Sequence, residues 1–356
     1  MARGAVKRYT NPQEILSEPD PWWVRRMQRP ISATIRGTGS YVPPRIVPND
    51  EFTQTLDTTD EWILTRTGIR ERRHAGPGDT AATMGTLAAR EALSAAGVSP
   101  GDVDLIVCAT VTPDLMCPST ACLIQSYLDC RTVPAFDISA ACSGFVYALS
   151  VAEQYIRTGS AKNVLVVGAE VLSRVTDFSD RNTCIIFGDG AGAVVLGASL
   201  EPTRGILNIR LFADGSRQEL IQVPSMVTPN PPPGSMALPN LRYLRMNGRE
   251  VFKFAVTQLR AQVQLALDDC KRLGKELSLI VPHQVNVRVI DAALEDLDFP
   301  AEKVVVNLDK YGNTSAASVP IALDEAVRTA RCGPGDTILL VAFGGGLTWS
   351  SALVTL

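Results

Sequence analysis

The chain has 356 residues, 46% of them hydrophobic and 20% charged, with a formal net charge of -3. That length suits two domains or two fused halves; the charge gives no basic field for nucleic acid, and no apolar run reaches the roughly 20 residues of a membrane span. The eight cysteines (Cys108, Cys117, Cys122, Cys130, Cys142, Cys184, Cys270 and Cys332) form no CxxC pair and several lie in apolar stretches, which argues against a disulfide framework or a zinc site and for a reducing, cytoplasmic compartment.

Residues 1–30 are rich in Arg and Pro, lack the apolar core of a signal peptide and read as an extension, with Trp22 and Trp23 as its candidate anchors. Residues 31–38 (ISATIRGT) predict the first strand, with a turn at 39–44 and a short helix at 49–56. In the following DTTDEWILTRTGIR, Trp62 and Arg66 are four apart and share a helical face. An aromatic plane beside a guanidinium can hold an adenine ring or a phosphate, or can be a surface stacking pair. Residues 81–96 predict an Ala-rich helix, 103–110 (VDLIVCAT) a strand buried on both faces, and 118–128 a further helix.

The stretch 137–145, DISAACSGF, organises the rest. Residues 134–139 are strand-like, and from Gly144 onward Phe145, Leu149, Ala152 and Ile156 fall on one helical face. Cys142 therefore sits where a strand turns into a helix, among small residues. The positive end of the helix dipole there favours thiolate, the nucleophile of acyl transfer; the alternative is a buried, inert cysteine. Residues 163–169 predict a buried strand and 177–181 a polar loop. Residues 184–196 (CIIFGDGAGAVVL) predict strand, Gly-rich turn and strand, and GDGAG is not the G-x-G-x-x-G of dinucleotide sites.

A second half begins near residue 206. A proline-rich loop covers 224–239, a long helix 247–273, a buried strand 277–281 ending at Pro282-His283-Gln284, a helix 285–297 and a strand 304–308. YGNTSAAS then enters another helix, and 337–343, Gly344-Gly345-Gly346 and 349–356 close the chain. DLIVCATVTPD echoes SLIVPHQVNVR, and CIIFGDGAGAVVL echoes LVAFGGGLTWSSALV, so two related α/β halves (31–200 and 201–356, after the extension 1–30) are expected to pack sheet to sheet through helices. His283 and Asn313 each follow a predicted strand, where α/β proteins bind ligands, and both side chains can donate to one thioester oxygen.

Taken together, DTTDEWILTRTGIRER, AACSGF, IIFGDGAGA, VPHQVN, YGNTSAASVP and AFGGG, in this order from about residue 31 to the end, resemble the β-ketoacyl-acyl-carrier-protein synthase III family. The resemblance implies a thiolase-like five-layered αβαβα fold, a homodimer, and condensation of an acyl-CoA primer with malonyl-acyl carrier protein without metal or redox cofactor. It implies Cys142 as the acylated nucleophile, the backbone N–H groups of Cys142 and Gly345 as its oxyanion hole, and His283 and Asn313 as donors to the malonyl carbonyl. Thr58, Trp62, Arg66, Arg181, Gly248 and Arg249 match coenzyme A positions; Gln284, Val285, Asn286, Val287 and Arg288 match the carrier-protein side. Cys117 stands where some members carry a Phe at the floor of the primer pocket, so strict acetyl specificity is not expected. Arg249 stands where some carry Asn near the pantetheine, and the loop at 230–234 is longer than in compact members. Two alternatives stay open: a specialised homologue that loads or transfers a starter unit, and a non-catalytic partner subunit that binds a carrier protein.

Overall fold

The structure is a computed structural model that describes residues 32–201, 203–223, 243–295, 297 and 299–356. The extension with Trp22 and Trp23 and the proline-rich 224–239 lie outside the described residues.

The first half runs β1 (Ser32–Tyr41), β2 (Ile46–Pro48), α1 (Asn49–Thr53), α2 (Asp60–Thr67), β3 (Glu71–Arg73), α3 (Ala81–Ala96), β4 (Leu105–Ala109), α4 (Thr120–Tyr127), β5 (Ala135–Ile138), α5 (Gly144–Arg157), β6 (Asn163–Val171) and β7 (Asp189–Ser199). It continues with β8 (Gly205–Ala213), β9 (Ile221–Gln222), β10 (Arg245–Met246), α6 (Gly248–Leu273), β11 (Leu277–Pro282), α7 (Val287–Leu294), α8 (Leu308–Tyr311), α9 (Ser318–Arg328), β12 (Thr337–Gly344) and β13 (Thr348–Thr355).

Two sheets repeat one plan. The first has the order β1-β7-β6-β4-β5 and the second β8-β13-β12-β11. In each, a parallel pair (β4 with β6, β11 with β12) continues into antiparallel neighbours. Helices α3 and α4 cover the outside of the first sheet, α6 and α7 the outside of the second, and α5 and α9 lie between the sheets. This is the five-layered αβαβα arrangement of the thiolase fold. The strands inside it are apolar on both faces. In β4, Leu105, Val107 and Ala109 join the core between the sheets, while Ile106 and Cys108 join the core under α3. Helix α3 shows why its sequence is helical. Thr80 and Thr83 form a capping box, Gly97 closes the far end at φ 63°, and Ala81, Met84, Ala88 and Ala92 are fully buried along one side.

Four expectations are corrected. β1 runs on to Tyr41 instead of turning at Gly39, because α3 lies so close that a Cβ on Gly39 would stand 2.3 Å from the Ala88 carbonyl. Residues 184–196 are not strand, turn and strand. β7 is one strand containing Gly190 and Gly192, and a Cβ on Gly192 would meet Pro320 and Ile321 of α9 at 2.7 Å. Residues 304–308 form no strand; Val304 makes a single bridge to Ile280. The N–H groups of Asn307 and Leu308 instead donate to Gln284 Oε1 (2.9 and 3.2 Å), which leaves no ladder to extend. The internal echo is also shifted: β7 occupies the place of β13, but the counterpart of β12 is β6 and not 184–187.

Gly192→Ala should therefore cost about 1–3 kcal/mol, the range for overpacking. Gly215→Ala, with nothing within 4 Å of its would-be Cβ, should change stability by less than about 0.5 kcal/mol. Urea unfolding of both variants checks this; equal midpoints would show that α9 can move away from β7 freely.

Candidate active site

The Cys142 thiol is set by three close fits. After β5 the chain turns through Ala141 at φ 47°, makes a short 3-10 turn over Ala141–Ser143, and enters α5. Opposite it, Gly344 has no room for a side chain, since a Cβ there would lie 2.6 Å from Cys142 N. The Thr348 hydroxyl reaches the carbonyls of Ala140 (3.0 Å) and Gly345 (3.1 Å), tying the β12–β13 turn to the cysteine loop. Burial pushes the Cys142 thiol up to about 12, against the pull of the Ser315 hydroxyl and its own backbone N–H. That direction disfavours the expected thiolate at rest, while Cys142 itself is only half-buried and lines the cavity described below. A helix dipole is worth at most about 2 kcal/mol, and about 1.4 kcal/mol moves a pKa by one, so the dipole does not offset desolvation of this size.

His283 follows β11 and is buried, edge-on to Phe343 with ring centroids 5.5 Å apart. Burial lowers its pKa to about 3, so the imidazole is neutral. Ser318 Oγ accepts the Gln284 N–H (2.7 Å) and lies 3.0 Å from His283 Nδ1. The hydroxyl proton is then available to Nδ1, which leaves the hydrogen on Nε2. Asn313 is held by its backbone to Ile186 and Gly188, and its Oδ1 accepts Ser315 N–H at 2.8 Å. That fixes the amide flip, and Nδ2 has no hydrogen-bond partner among the described residues.

One cavity of about 1000 Å³ is lined by Cys142, His283, Asn313, Gly345 and Cys117, and also by Ser315 and Phe343. Cys117 is exposed there beside Leu115 and Met116, both also exposed. A second cavity of about 500 Å³ is lined by Trp62, Arg66, Gly248, Arg249, Asn286 and Arg288. The two share Met246, Val251 and Val285, so they form a continuous path from the surface to Cys142. Trp62 is flanked by two guanidinium groups, Arg66 at 5.5 Å and Arg181 at 5.0 Å from its ring centroid. Arg181 pairs with Asp57 outside the cavity, and Thr58 lines neither cavity, its buried hydroxyl lacking a hydrogen-bond partner among the described residues.

The carrier-protein set 284–288 divides. Arg288 is exposed, but Gln284 is buried and its amide bridges the Pro282 and Val305 carbonyls (2.9 Å each) to Asn307 and Leu308. Gln284 is thus corrected from a docking contact to a clamp inside the fold. Val285 lines the passage, Val287 packs against Gly68, and Asn286 caps α7 while donating to the Arg66 carbonyl (2.9 Å). Sequence reasoning missed Ser315, Ser318, Thr348 and Glu170. The run NTSAAS carries two of them, and nothing local marks the other two.

A sheet pair of this order, with a cysteine at a helix start facing a histidine and an asparagine, defines the thiolase-fold condensing enzymes as a class. Residues 136–215 match the family model of 3-oxoacyl-[acyl-carrier-protein (ACP)] synthase III, and residues 267–356 that of its C-terminal part. The β-ketoacyl-[acyl-carrier-protein] synthase III of Aquifex aeolicus is 50% identical over 91% of this chain and 99% of its own. That of Methylococcus capsulatus is 49% identical over 90% and 98%. The crystal structure of the Aquifex aeolicus VF5 3-oxoacyl-[acyl-carrier-protein] synthase III superposes with a TM-score of 0.82, covering 91% of this chain and all of that one (100%) at 48% identity. The priming β-ketosynthase of the R1128 polyketide pathway superposes with a TM-score of 0.83 at 37% identity, covering 93% and 98%. The chain belongs to the β-ketoacyl-acyl-carrier-protein synthase III family. Among the described residues no helix is long and apolar enough to cross a membrane.

Both histidines described here are buried and neutral. Burial, with Arg45 and Arg72 nearby, lowers His74 to about 4. Between that value and the ordinary 6.5 the unfolded chain binds the extra proton, so this histidine's contribution to stability falls as pH falls. The stability of the wild type relative to His74→Gln should shrink from pH 7 to pH 5, with a slope approaching about 1.4 kcal/mol per pH unit. Taking the difference cancels the raised carboxyls, which act in the opposite sense. Chemical unfolding of both proteins across this range checks it; a pH-independent difference would mean that His74 is charged when folded.

Proposed function

We propose that the chain condenses an acyl-CoA primer with malonyl-acyl carrier protein, releasing CO2 and coenzyme A, to start fatty-acid synthesis. The observation that carries this reading is the convergence of Cys142, neutral His283 and Asn313 on one apolar cavity that opens through an arginine-lined passage. Cys142 attacks the primer thioester and keeps the acyl group, with the N–H groups of Cys142 and Gly345 facing the developing oxyanion. The malonyl thioester then replaces coenzyme A in the passage. His283 Nε2–H and Asn313 Nδ2–H donate to its carbonyl oxygen, so the charge left by CO2 loss rests on an enolate. The enolate carbon attacks acyl-Cys142 and the sulfur leaves. A neutral imidazole is the right partner, because it donates without having to lose a proton first.

Trp62, Arg66 and Arg249, with Arg181 stacked on Trp62, suit the adenine and phosphates of coenzyme A. Arg288, exposed at the same mouth, suits an acidic carrier protein. Leu115, Met116 and Cys117 leave an exposed apolar wall on the primer cavity, which a second copy of the chain would cover in a homodimer. No metal or redox cofactor enters this chemistry, and a cytoplasmic location suits its substrates. The likeness to a priming β-ketosynthase, together with the small residue at Cys117, supports a second reading in which the primer is a longer starter unit. A silent partner subunit would have no use for the complete Cys–His–Asn set.

Intact-protein mass after incubation with acyl-CoA should show one acyl adduct on the wild type and none on Cys142→Ser. His283→Ala and Asn313→Ala should still acquire the adduct while losing malonyl decarboxylation by roughly 10²-fold or more, the scale of one lost oxyanion donor. Loss of acylation with decarboxylation intact would reverse these roles.

Primer length is tested at Cys117. Each buried methylene is worth about 0.8 kcal/mol where space exists, and forcing one in where none exists costs about 1–3 kcal/mol. Cys117→Phe should therefore depress acylation by octanoyl-CoA sharply and leave acetyl-CoA nearly unchanged. An unchanged octanoyl-to-acetyl ratio would remove Cys117 from the primer's path.

A further inference from the structure

We propose that Glu170 and Ser315 form a proton-holding relay behind Cys142. In this relay Glu170 takes the thiol proton through the Ser315 hydroxyl as Cys142 is acylated, and returns it when condensation frees the sulfur. The inference rests on Cys142 being the acylated nucleophile.

Glu170 is fully buried near the end of β6. Its carboxylate accepts from Thr112 Oγ1 (2.6 Å), Val111 N–H (3.1 Å), Thr110 Oγ1 (3.3 Å) and Ser315 Oγ (3.0 Å). Such a cage serves an ionised carboxyl deep in a protein, and no lysine or arginine among the described residues bonds to it. Ser315 is held against it on purpose-built backbone. It sits at φ 48°, in the left-handed region that non-glycine residues avoid. A Cβ on Gly168, two residues before Glu170, would stand 2.4 Å from the Ala316 carbonyl, so only glycine lets this turn press onto β6. On its other side the turn carrying Ser315 packs directly against the Ala141–Ser143 turn, and Ser315 and Cys142 line the same cavity.

The donors and acceptors fit both states of a relay. An ionised carboxylate only accepts, so the Ser315 hydroxyl points at Glu170 and its oxygen lone pair receives the Cys142 S–H. When the proton has moved, protonated Glu170 donates to Ser315 and the Ser315 hydroxyl turns its hydrogen to the sulfur. In acylation the bond from Cys142 Sγ to the acyl carbon forms and the bond from that carbon to the coenzyme A sulfur breaks. Coenzyme A leaves as thiolate and is protonated by solvent, while the thiol proton stays on Glu170. In condensation the new carbon–carbon bond forms, the acyl–Sγ bond breaks, and the sulfur recovers that proton; nothing is oxidised or reduced.

Burial raises Glu170 to about 7, against the pull of its donors. The titratable groups that act with it are the thiols of Cys142 and Cys108. The nearby carboxylates are engaged elsewhere: Asp114 with the start of α3, Asp137 with the start of α4, and Asp189 with Ala75 and Ser173. Below pH 7 Glu170 is protonated and cannot receive a proton, so acylation slows as pH falls.

The test is single-turnover acylation by acetyl-CoA from pH 5.5 to 9, followed by intact mass. The wild-type rate should show an inflection near 7. Glu170→Gln, which keeps size and polarity, should lose that inflection and slow by about 10²-fold, the lower end for a lost general base. Ser315→Ala should do the same, and the double variant should be no slower than either single one, because both break one path. Each variant should still reach a full adduct in time. A wild-type pH profile in either single variant overturns the relay, as does slowing that is additive in the double variant. Should Glu170→Gln fail to fold, Ser315→Ala alone decides. A wild type that gains no adduct at all overturns the condensing reading itself.

Discussion

Desolvation at the junction between the two sheets biases the charge states of the groups that meet there. The same desolvation lifts the Cys142 thiol and the Glu170 carboxyl and depresses His283. It also makes a neutral N–H donor worth more than it would be in water, since nothing screens it. The cost appears as buried polar groups that must be satisfied, and they are satisfied by elements far apart in sequence. Glu170 reaches Thr112 and Ser315, His283 reaches Ser318, and Asn313 reaches Ser315. These hydrogen bonds lock the start of α9 between β6 and β11 and hold the reacting groups at one end of both sheets.

The junction is tightly packed behind the cavity because backbones touch there. Gly168 lies against Ala316, Gly192 against Pro320, Gly188 against Tyr311, and Gly344 against Cys142, each with too little space for a Cβ. Glycine in a strand weakens it in isolation. Here that loss is offset by the approach of α9 and its preceding turns, which fill the space a side chain would occupy. Both halves contribute, and the catalytic groups come from both: Cys142 follows a strand of the first sheet, His283 follows one of the second, and Asn313 crosses onto Phe187.

This division explains what the sequence reveals and what it hides. β4, β6 and β12 are legible as unbroken apolar runs because both of their faces are covered, and α3 because its caps and Ala stripe are local. The glycines of β7 read as a turn, since the reason for them, α9, lies well over a hundred residues later. Residues 304–308 have strand composition, but the Gln284 side chain takes the N–H groups of Asn307 and Leu308. Cys142, His283 and Asn313 are legible because each follows a strand and belongs to a recognisable motif. Glu170 is hidden inside an apolar run, with partners 58 and 145 residues away. The opposing pull on the Cys142 thiol is hidden for the same reason: a helix start is visible in sequence, and the desolvation that pushes the thiol up is not.

Charge is distributed along the path in a way that suits the proposed chemistry. Arg66, Arg249 and Arg288 line the outer cavity, where solvent remains and attraction at a distance is useful. The inner cavity has no lysine or arginine among its described lining residues, and its one carboxylate, Asp137, is spent on the first N–H groups of α4. A malonyl carboxylate that reaches this floor exchanges its hydration for an apolar wall and finds no cation to pair with. As neutral CO2 leaves, the electron pair of the broken carbon–carbon bond passes to the α-carbon and onto the enolate oxygen, where His283 and Asn313 donate. An arginine at the floor would stabilise the carboxylate before reaction and so oppose the step. The cations therefore belong at the mouth, and the floor works because its donors are neutral.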